Sequence, residues 1–305
     1  GGLTRSSAER DRYVISNQYG GVSKDTWIVS DTITEVGEKT AVRNKTAFTH
    51  HSSLPSRSAE NLFWVGRYCE RTMAVTKFLK IVINALNENV DFRGSFKSEY
   101  IDILLKSITH LTLTYPGFTD EKNESIRENP YLKISELVHN SLKVGTVASN
   151  VNSFLNSVLS VSDKWNHDTR RVINLVENSH KKIQSIDLAN PNSIQKILDK
   201  LHVRLFTFFG VLSESMPRDS GYYLLEAGKL TERILSKIRI LRSFFSFKNE
   251  ENVENELIEA ALNNHYLMEY YRQLYKTNFS LETMLDMVLL DEKLPYSLAY
   301  QLDAL

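Results

Sequence analysis

The sequence predicts an all-α protein: a long antiparallel helical bundle with an internal duplication, preceded by a short extended or β tail. Three observations carry this. From Pro55 onward apolar residues recur with the helical period, through Leu62, Phe63, Val65, Met73, Phe78, Leu79, Val82 and Leu86. Glycine and proline are scarce, 12 and 6 in 305 residues, and half of the glycines lie before residue 70, so the punctuation of a β-rich chain is missing downstream. One segment also recurs at a constant offset.

Residues 1–45 read differently from the rest. Gly1-Gly2 and Gly20-Gly21 flank β-prone pieces, Tyr13–Ser16 and Thr26–Val29. With so few apolar side chains this part has no core of its own, so it is expected to be extended, with Trp27 and Tyr13 as its main buried side chains. The polar stretch from Glu38 to Ser53 reads as a linker, and the expected division is 1–45 for the tail and its linker and 46–305 for the helical domain. Helices are expected over residues 56–87, 97–113, 130–161, 163–184, 193–213, 219–245, 253–275 and 281–288, with turns at Tyr115-Pro116-Gly117, Ala189–Asn192 and Met216-Pro217. Long helices joined by short turns favour antiparallel neighbours.

Composition excludes more than it assigns. Lys+Arg and Asp+Glu are both 37, so the overall charge gives no reason to expect nucleic acid, an anionic membrane or an acidic ligand as the main partner, and any binding must come from local patches. The single cysteine, Cys69, rules out an internal disulfide framework and fits a reducing cytoplasm. No apolar run is long enough to span a bilayer. The eight histidines, His50-His51 included, have no metal-ligand spacing, and the aromatic groups Phe206, Phe208, Phe209 and Phe244, Phe245, Phe247 read as packing residues.

Residues Leu54–Arg71 align without gaps on Met216–Arg233. Pro55 matches Pro217, Ser58 matches Ser220, Leu62 matches Leu224, Gly66 matches Gly228, and Glu70-Arg71 matches Glu232-Arg233, each 162 positions apart. A glycine inside a helix costs about 1 kcal/mol relative to alanine, so its presence at both positions points to helix crossings there. Glu60, Trp64, Arg67 and Arg71 share one helix stripe, and Tyr222, Glu226, Lys229 and Arg233 share the matching one. Glu70 and Arg71 point about 100° apart, as do Glu232 and Arg233, so each seeks a partner on another helix.

The run Pro55-Ser-Arg-Ser-Ala-Glu-Asn-Leu-Phe-Trp-Val-Gly-Arg-Tyr-Cys-Glu-Arg71 resembles the opening of the bacterial alpha-E family, and Glu214–Arg233 and Leu285–Asp291 resemble later parts of it. The resemblance covers about residues 54–305. Two departures stand out: Leu294-Pro-Tyr-Ser297 replaces a usual Asn-Pro-Arg-Ser, and His139–Val144 replaces an Arg-rich stretch. Gly1–Arg5 and Gly20–Trp27 are similar to the C-terminus of circularly permuted ATP-grasp proteins, often fused to or encoded beside alpha-E domains. The resemblance implies a helper or interaction module of an ATP-grasp-associated peptide or amide ligation system. It implies ATP and Mg for the ATP-grasp portion alone, no cofactor in the helical domain, and an ATP-grasp domain, fused or separate, as partner. Homo-oligomerisation stays open, including a purely structural dimerisation bundle.

The candidate cluster is Glu60, Arg67, Glu70, Arg71, Glu226, Lys229, Glu232 and Arg233. Two readings are open: a partly buried ion-pair network that fixes the packing of two halves, or a pocket in which a carboxylate serves as general base and arginines hold an anion. The expected pairs are Glu70 with Arg233 or Glu232 with Arg71, with Arg67 and Glu60 as further members. The coreless tail generates its own test: limited proteolysis is expected to clip residues 1–45 before the helical domain, and a tail as resistant as the bundle would contradict the expectation.

Overall fold

The computed structural model describes residues 2–6, 22–26, 54–88, 95–120, 129–185, 191–276 and 278–305. It divides into two units, Gly1–His51 and Ser52–Leu305. In the first, β1 (Gly2–Ser6) pairs antiparallel with β2 (Val22–Thr26), in a register that sets Gly2 opposite Thr26 and Ser6 opposite Val22. Tyr13–Ser16 and Trp27–Val29 lie outside the described residues, so of the β-prone pieces only Thr26 falls in an observed strand.

The second unit is all helical among the described residues. Its helices are α1 (Ser56–Glu88), α2 (Ser95–Thr112), α3 (Pro130–His139), α4 (Val147–Leu159), α5 (His167–Gln184), α6 (Pro191–Ser215), α7 (Ser220–Phe245), α8 (Glu251–Asn264), α9 (Met268–Tyr275), α10 (Leu281–Leu285) and α11 (Leu298–Ala304). No helix among them is long and apolar enough to cross a membrane.

Three boundaries differ from expectation. The single helix expected over 130–161 breaks at 140–146, where Gly145 adopts φ +94° and Thr146 starts α4 by accepting a hydrogen bond from Ser149 N at 3.2 Å. A side chain at Gly145 would also strike the Thr112 carbonyl. The helix expected over 253–275 breaks after Asn264, where Tyr266 takes the left-handed φ of +58°. Helix α10 continues as a π turn, Asp286–Leu290, and α11, capped by Ser297, was not expected.

Helix α1 is the centre of the unit. Leu62, Val65, Cys69, Val75, Phe78, Leu79 and Ile83 are buried on several of its faces, as a helix enclosed by neighbours requires, and it packs on α7, α4, α6, α2 and α8. Against α6 the arrangement is antiparallel. Thr76 meets His202, Lys80 pairs with Asp199, and Asn84 accepts from Gln195 at 2.7 Å, the partner's number falling as α1 advances.

Within this bundle the central pair, which is not consecutive in the chain, runs parallel: α1 and α7 point the same way. Phe63 and Gly66 meet α7 near Gly228 and Leu225, Glu70 meets Arg233, and the Phe78 ring lies 5.9 Å from that of Phe244, so partner numbers rise together. The contact is also reciprocal. A Cβ on Gly66 would lie 2.1 Å from the Leu225 carbonyl oxygen and 2.8 Å from Lys229 N; one on Gly228 would lie 2.1 Å from the Phe63 carbonyl oxygen and 3.2 Å from Arg67 N. Residues 63, 66 and 67 therefore do to 228, 225 and 229 what their counterparts 162 positions later do to them. Parallel packing lets one helix face meet its equivalent, and α2–α6 return the chain to the starting end.

The obstructing atoms are backbone, so neither helix can yield without moving as a whole. Gly66→Ala and Gly228→Ala are each expected to lower the thermal midpoint, because overpacking of about 1–3 kcal/mol or more outweighs the roughly 1 kcal/mol that alanine gains in a helix. Gly210→Ala in α6, with nothing within 4 Å of the added carbon, is expected to raise it. Scanning calorimetry of the three variants checks the contrast.

Candidate functional site

One turn beyond the glycines, the two Glu-Arg sequences face each other across the α1–α7 contact. Arg233 donates to Glu70 through Nε (2.7 Å to Oε1) and Nη2 (2.8 Å to Oε2). Arg71 donates to Glu232 through Nε (2.9 Å to Oε1) and Nη2 (2.7 Å to Oε2). Both are two-pronged guanidinium–carboxylate bonds, the strongest form of this pairing.

The surroundings of the two carboxylates differ. Glu232 is fully buried, and it also receives Arg67 Nε at 2.6 Å and has Arg239 Nη1 at 3.6 Å. Burial pushes its carboxyl up, but the hydrogen bond and charge of Arg71, and then Arg67, more than offset this and hold it below the usual carboxylate range. The surplus of positive charge rests on aromatic faces: Arg67 lies 5.8 Å from the Phe63 ring and 5.6 Å from that of Trp64, and Arg71 lies 5.6 Å from that of Tyr68. On the other side, burial would lower the basicity of Arg233, and Glu70 raises it instead.

Of the expected cluster, the structure brings together Arg67, Glu70, Arg71, Glu232 and Arg233. Lys229 pairs instead with Glu226 within α7. Glu60 is exposed and makes none of these bonds, so its expected membership is not observed: the stripe that holds it turns outward at the start of α1. Cys69 is buried, and burial pushes its thiol up. Among the described residues no group of three or more His, Cys, Asp or Glu could hold a metal ion.

Beside the Glu70–Arg233 pair lies a cavity of about 40 Å³ that sequence reasoning missed. It is walled by α1 (Met73, Ala74, Lys77), α7 (Ser236, Lys237) and the break between α8 and α9 (Asn264, His265, Tyr266). Lys237 is 1% exposed and donates to the Tyr296 carbonyl. Lys77 places its ammonium over the Tyr266 ring. Burial, and then the charge of Lys80, lowers the Lys77 pKa to about 6; burial, and then Arg233, lowers that of Lys237 to about 7. His202, bonded through Nε2 to the Tyr266 hydroxyl at 2.6 Å, is lowered to about 4 by burial and by Lys80 and Lys77. His265 is pushed far down by burial and the same kind of neighbours, Lys237 and Lys77. A signal existed: Lys77 stands seven residues after Glu70 and Lys237 four after Arg233, each on the face of its motif.

The Glu-Arg groups are thus locked to one another, whereas the cavity holds two amines poised to gain or lose a proton near neutrality. A family model described as Alpha-E, a predicted alpha-helical domain with a conserved ER motif, matches residues 54–305. Uncharacterised proteins of Mycobacterium tuberculosis and Mycobacterium bovis are each 26% identical over 256 residues, covering 82% of this chain and 29% of the relative. The chain therefore spans less than a third of the length of those curated relatives. No solved structure matches it.

The two lysines give a pH signature. Their folded pKa values lie below the usual value of about 10.4, so from about pH 7 upward the unfolded chain holds protons that the native state lacks, and stability rises with pH until about pH 10. The slope is at most about 1.4 kcal/mol per pH unit for each lysine. Thermal midpoints of the wild type and of a Lys77→Met, Lys237→Met double variant across this range are expected to differ by that rising slope, and parallel curves would contradict it.

Proposed function

Since the chain belongs to the Alpha-E family, we propose that its helical part is a helper module of an ATP-grasp-associated peptide or amide ligation system, one that holds a partner domain or an acceptor substrate while the chemistry is done elsewhere. The observation that carries this reading is the commitment of all four Glu-Arg groups to each other in two-pronged bonds across α1 and α7. A carboxylate whose oxygens are both taken by guanidinium donors is a poor general base, and Glu232, held below its ordinary range, is a still weaker one. The motif reads as a clamp between two halves.

Exchange of the glycine and Glu-Arg contacts under a shift of 162 positions supports descent of α1 and α7 from one duplicated segment. The resemblance of Gly1–Arg5 and Gly20–Trp27 to an ATP-grasp C-terminus supports the link to ligation, and ATP and Mg belong to that portion. The relatives extend far beyond the matched part, which leaves room for such a domain.

Glu232→Ala in the complete natural system separates clamp from catalyst. A clamp predicts a loss of about 3 kcal/mol, the low end for a broken buried pair, because the arginines left behind are half-buried and partly solvated, with ligation retained at temperatures below the lowered midpoint. Loss of ligation at every temperature in a folded variant would overturn the reading and make Glu232 part of an active site.

A further inference from the structure

The cavity beside Glu70–Arg233 gathers most of the unpartnered buried polar side-chain atoms among the described residues. Lys77 Nζ, Ser236 Oγ, Asn264 Oδ1 and His265 Nε2 are all buried without a hydrogen-bond partner, and all four residues line this one space. Buried polar groups are normally satisfied, and each that is not costs about 1–3 kcal/mol. Among the described residues the remaining two such atoms, His180 Nδ1 and Gln301 Oε1, are not in its wall.

We propose that this cavity binds a small oxyanion, the carboxylate or phosphate group of a ligand, with Lys77 Nζ, Ser236 Oγ and His265 Nε2 as donors and Lys237 as the second cation. The ionisable groups favour an anion. The wall carries Lys77 and Lys237, amines that can take up a proton beside a bound anion, while its one carboxylate, Glu70, is already occupied by Arg233. The second half of the molecule shows what Lys77 lacks: its counterpart 162 positions later, Arg239, lies 3.6 Å from buried Glu232, so there the third cation is spent on the protein's own carboxylate. On the Glu70 side it is left over. Size favours a small group: about 40 Å³ is far below the roughly 300–1,000 Å³ of a pocket that buries a drug-sized ligand.

The wall is also built at a cost. Tyr266 is held at φ +58°, a left-handed conformation worth about 1–3 kcal/mol in a residue with a side chain. That conformation brings its ring over Lys77 and its hydroxyl to His202. Asn264 Oδ1 remains to accept from a hydroxyl or ammonium of the ligand.

An anion here would return the lysines to their charged forms, so binding takes up protons at pH 8. The charged groups acting on Lys77 are Glu70, Lys80 and Glu269, and those acting on Lys237 are Glu70 and Arg233, while His202 and His265 are neutral at that pH. The inference does not depend on the ligation reading. The test is calorimetric titration of the full chain at pH 8 with sodium acetate, sodium L-glutamate and inorganic phosphate, in two buffers of different ionisation enthalpy. The expected result is saturable binding of at least one of them with net proton uptake; phosphate alone would identify a phosphate group, acetate or glutamate a carboxylate. Lys77→Met is expected to bind about tenfold or more weakly, as for loss of one charge-assisted hydrogen bond, with a thermal midpoint no lower than wild type. Ser236→Ala, which removes one hydroxyl, supplies a second variant with a smaller loss. No saturable binding of the three anions, or binding indifferent to Lys77→Met and Ser236→Ala, would overturn the proposal.

Discussion

Everything in the helical unit is organised by the contact of α1 with α7, and that contact depends on two missing side chains. Gly66 and Gly228 let backbone touch backbone, and only at that separation do guanidinium and carboxylate groups one turn later meet end to end. Buried ion pairs add little net stability, since desolvation consumes much of the attraction, but a broken pair is severely penalised. The Glu-Arg pairs therefore select the register of α1 on α7 more than they strengthen it. A slip by one turn would separate Glu232 from Arg67 and Arg71, and Glu70 from Arg233.

The two sides of this contact have different fates. Around Glu232, three arginines converge and the protein closes on itself, with Phe63, Trp64 and Tyr68 absorbing the surplus charge. Around Glu70, one arginine suffices, and lysines stand where the other half has an arginine or, in the case of Lys237, an apolar residue, Val75. Lysine is a compact charge that loses its proton readily when buried, whereas arginine keeps it and bonds in a fixed fork. The choice of cation thus divides a sealed structural half from a responsive one, while the backbone geometry stays alike.

How much of this was legible in the sequence follows from what each signal encodes. Helical periodicity marks faces, so α1, α2, α6 and α7 were readable to within a few residues. The offset of 162 marked equivalent faces, so the glycines and the Glu-Arg groups could be matched to one another. Periodicity carries no direction, but pairing Glu70 with Arg233 and Glu232 with Arg71 beside the matched glycines is possible only if α1 and α7 run parallel, as they do. The break at 140–146 had a local signal, Gly145 followed by the capping Thr146, but no proline to force it; the break at Tyr266 had none, since tyrosine there is held left-handed by its surroundings. Of the expected aromatic packing, Phe208 and Phe244 are buried, while Phe206 and Phe247 are exposed: Phe206 lies on another face of its helix than Phe208, and Phe247 lies past the end of α7. The cavity was the least legible part. Its residues come from positions 70 to 296, and each fits an ordinary helix or turn pattern.

The parallel pairing of α1 with α7 also has a consequence for how the chain comes off the ribosome. The partner that covers the glycine face of α1 is encoded 162 positions downstream, so at synthesis rates of about 5–20 residues per second that face waits roughly ten to thirty seconds for it. Helices α2, α4 and α6 can shelter other faces of α1 in the interval, but not the one bearing Gly66, Arg67 and Glu70. Closing such a long segment is slow on topological grounds, and the polar character of that face suits the delay. A nascent helix that must stay uncovered is less prone to capture by other chains when it shows charge than when it shows leucine.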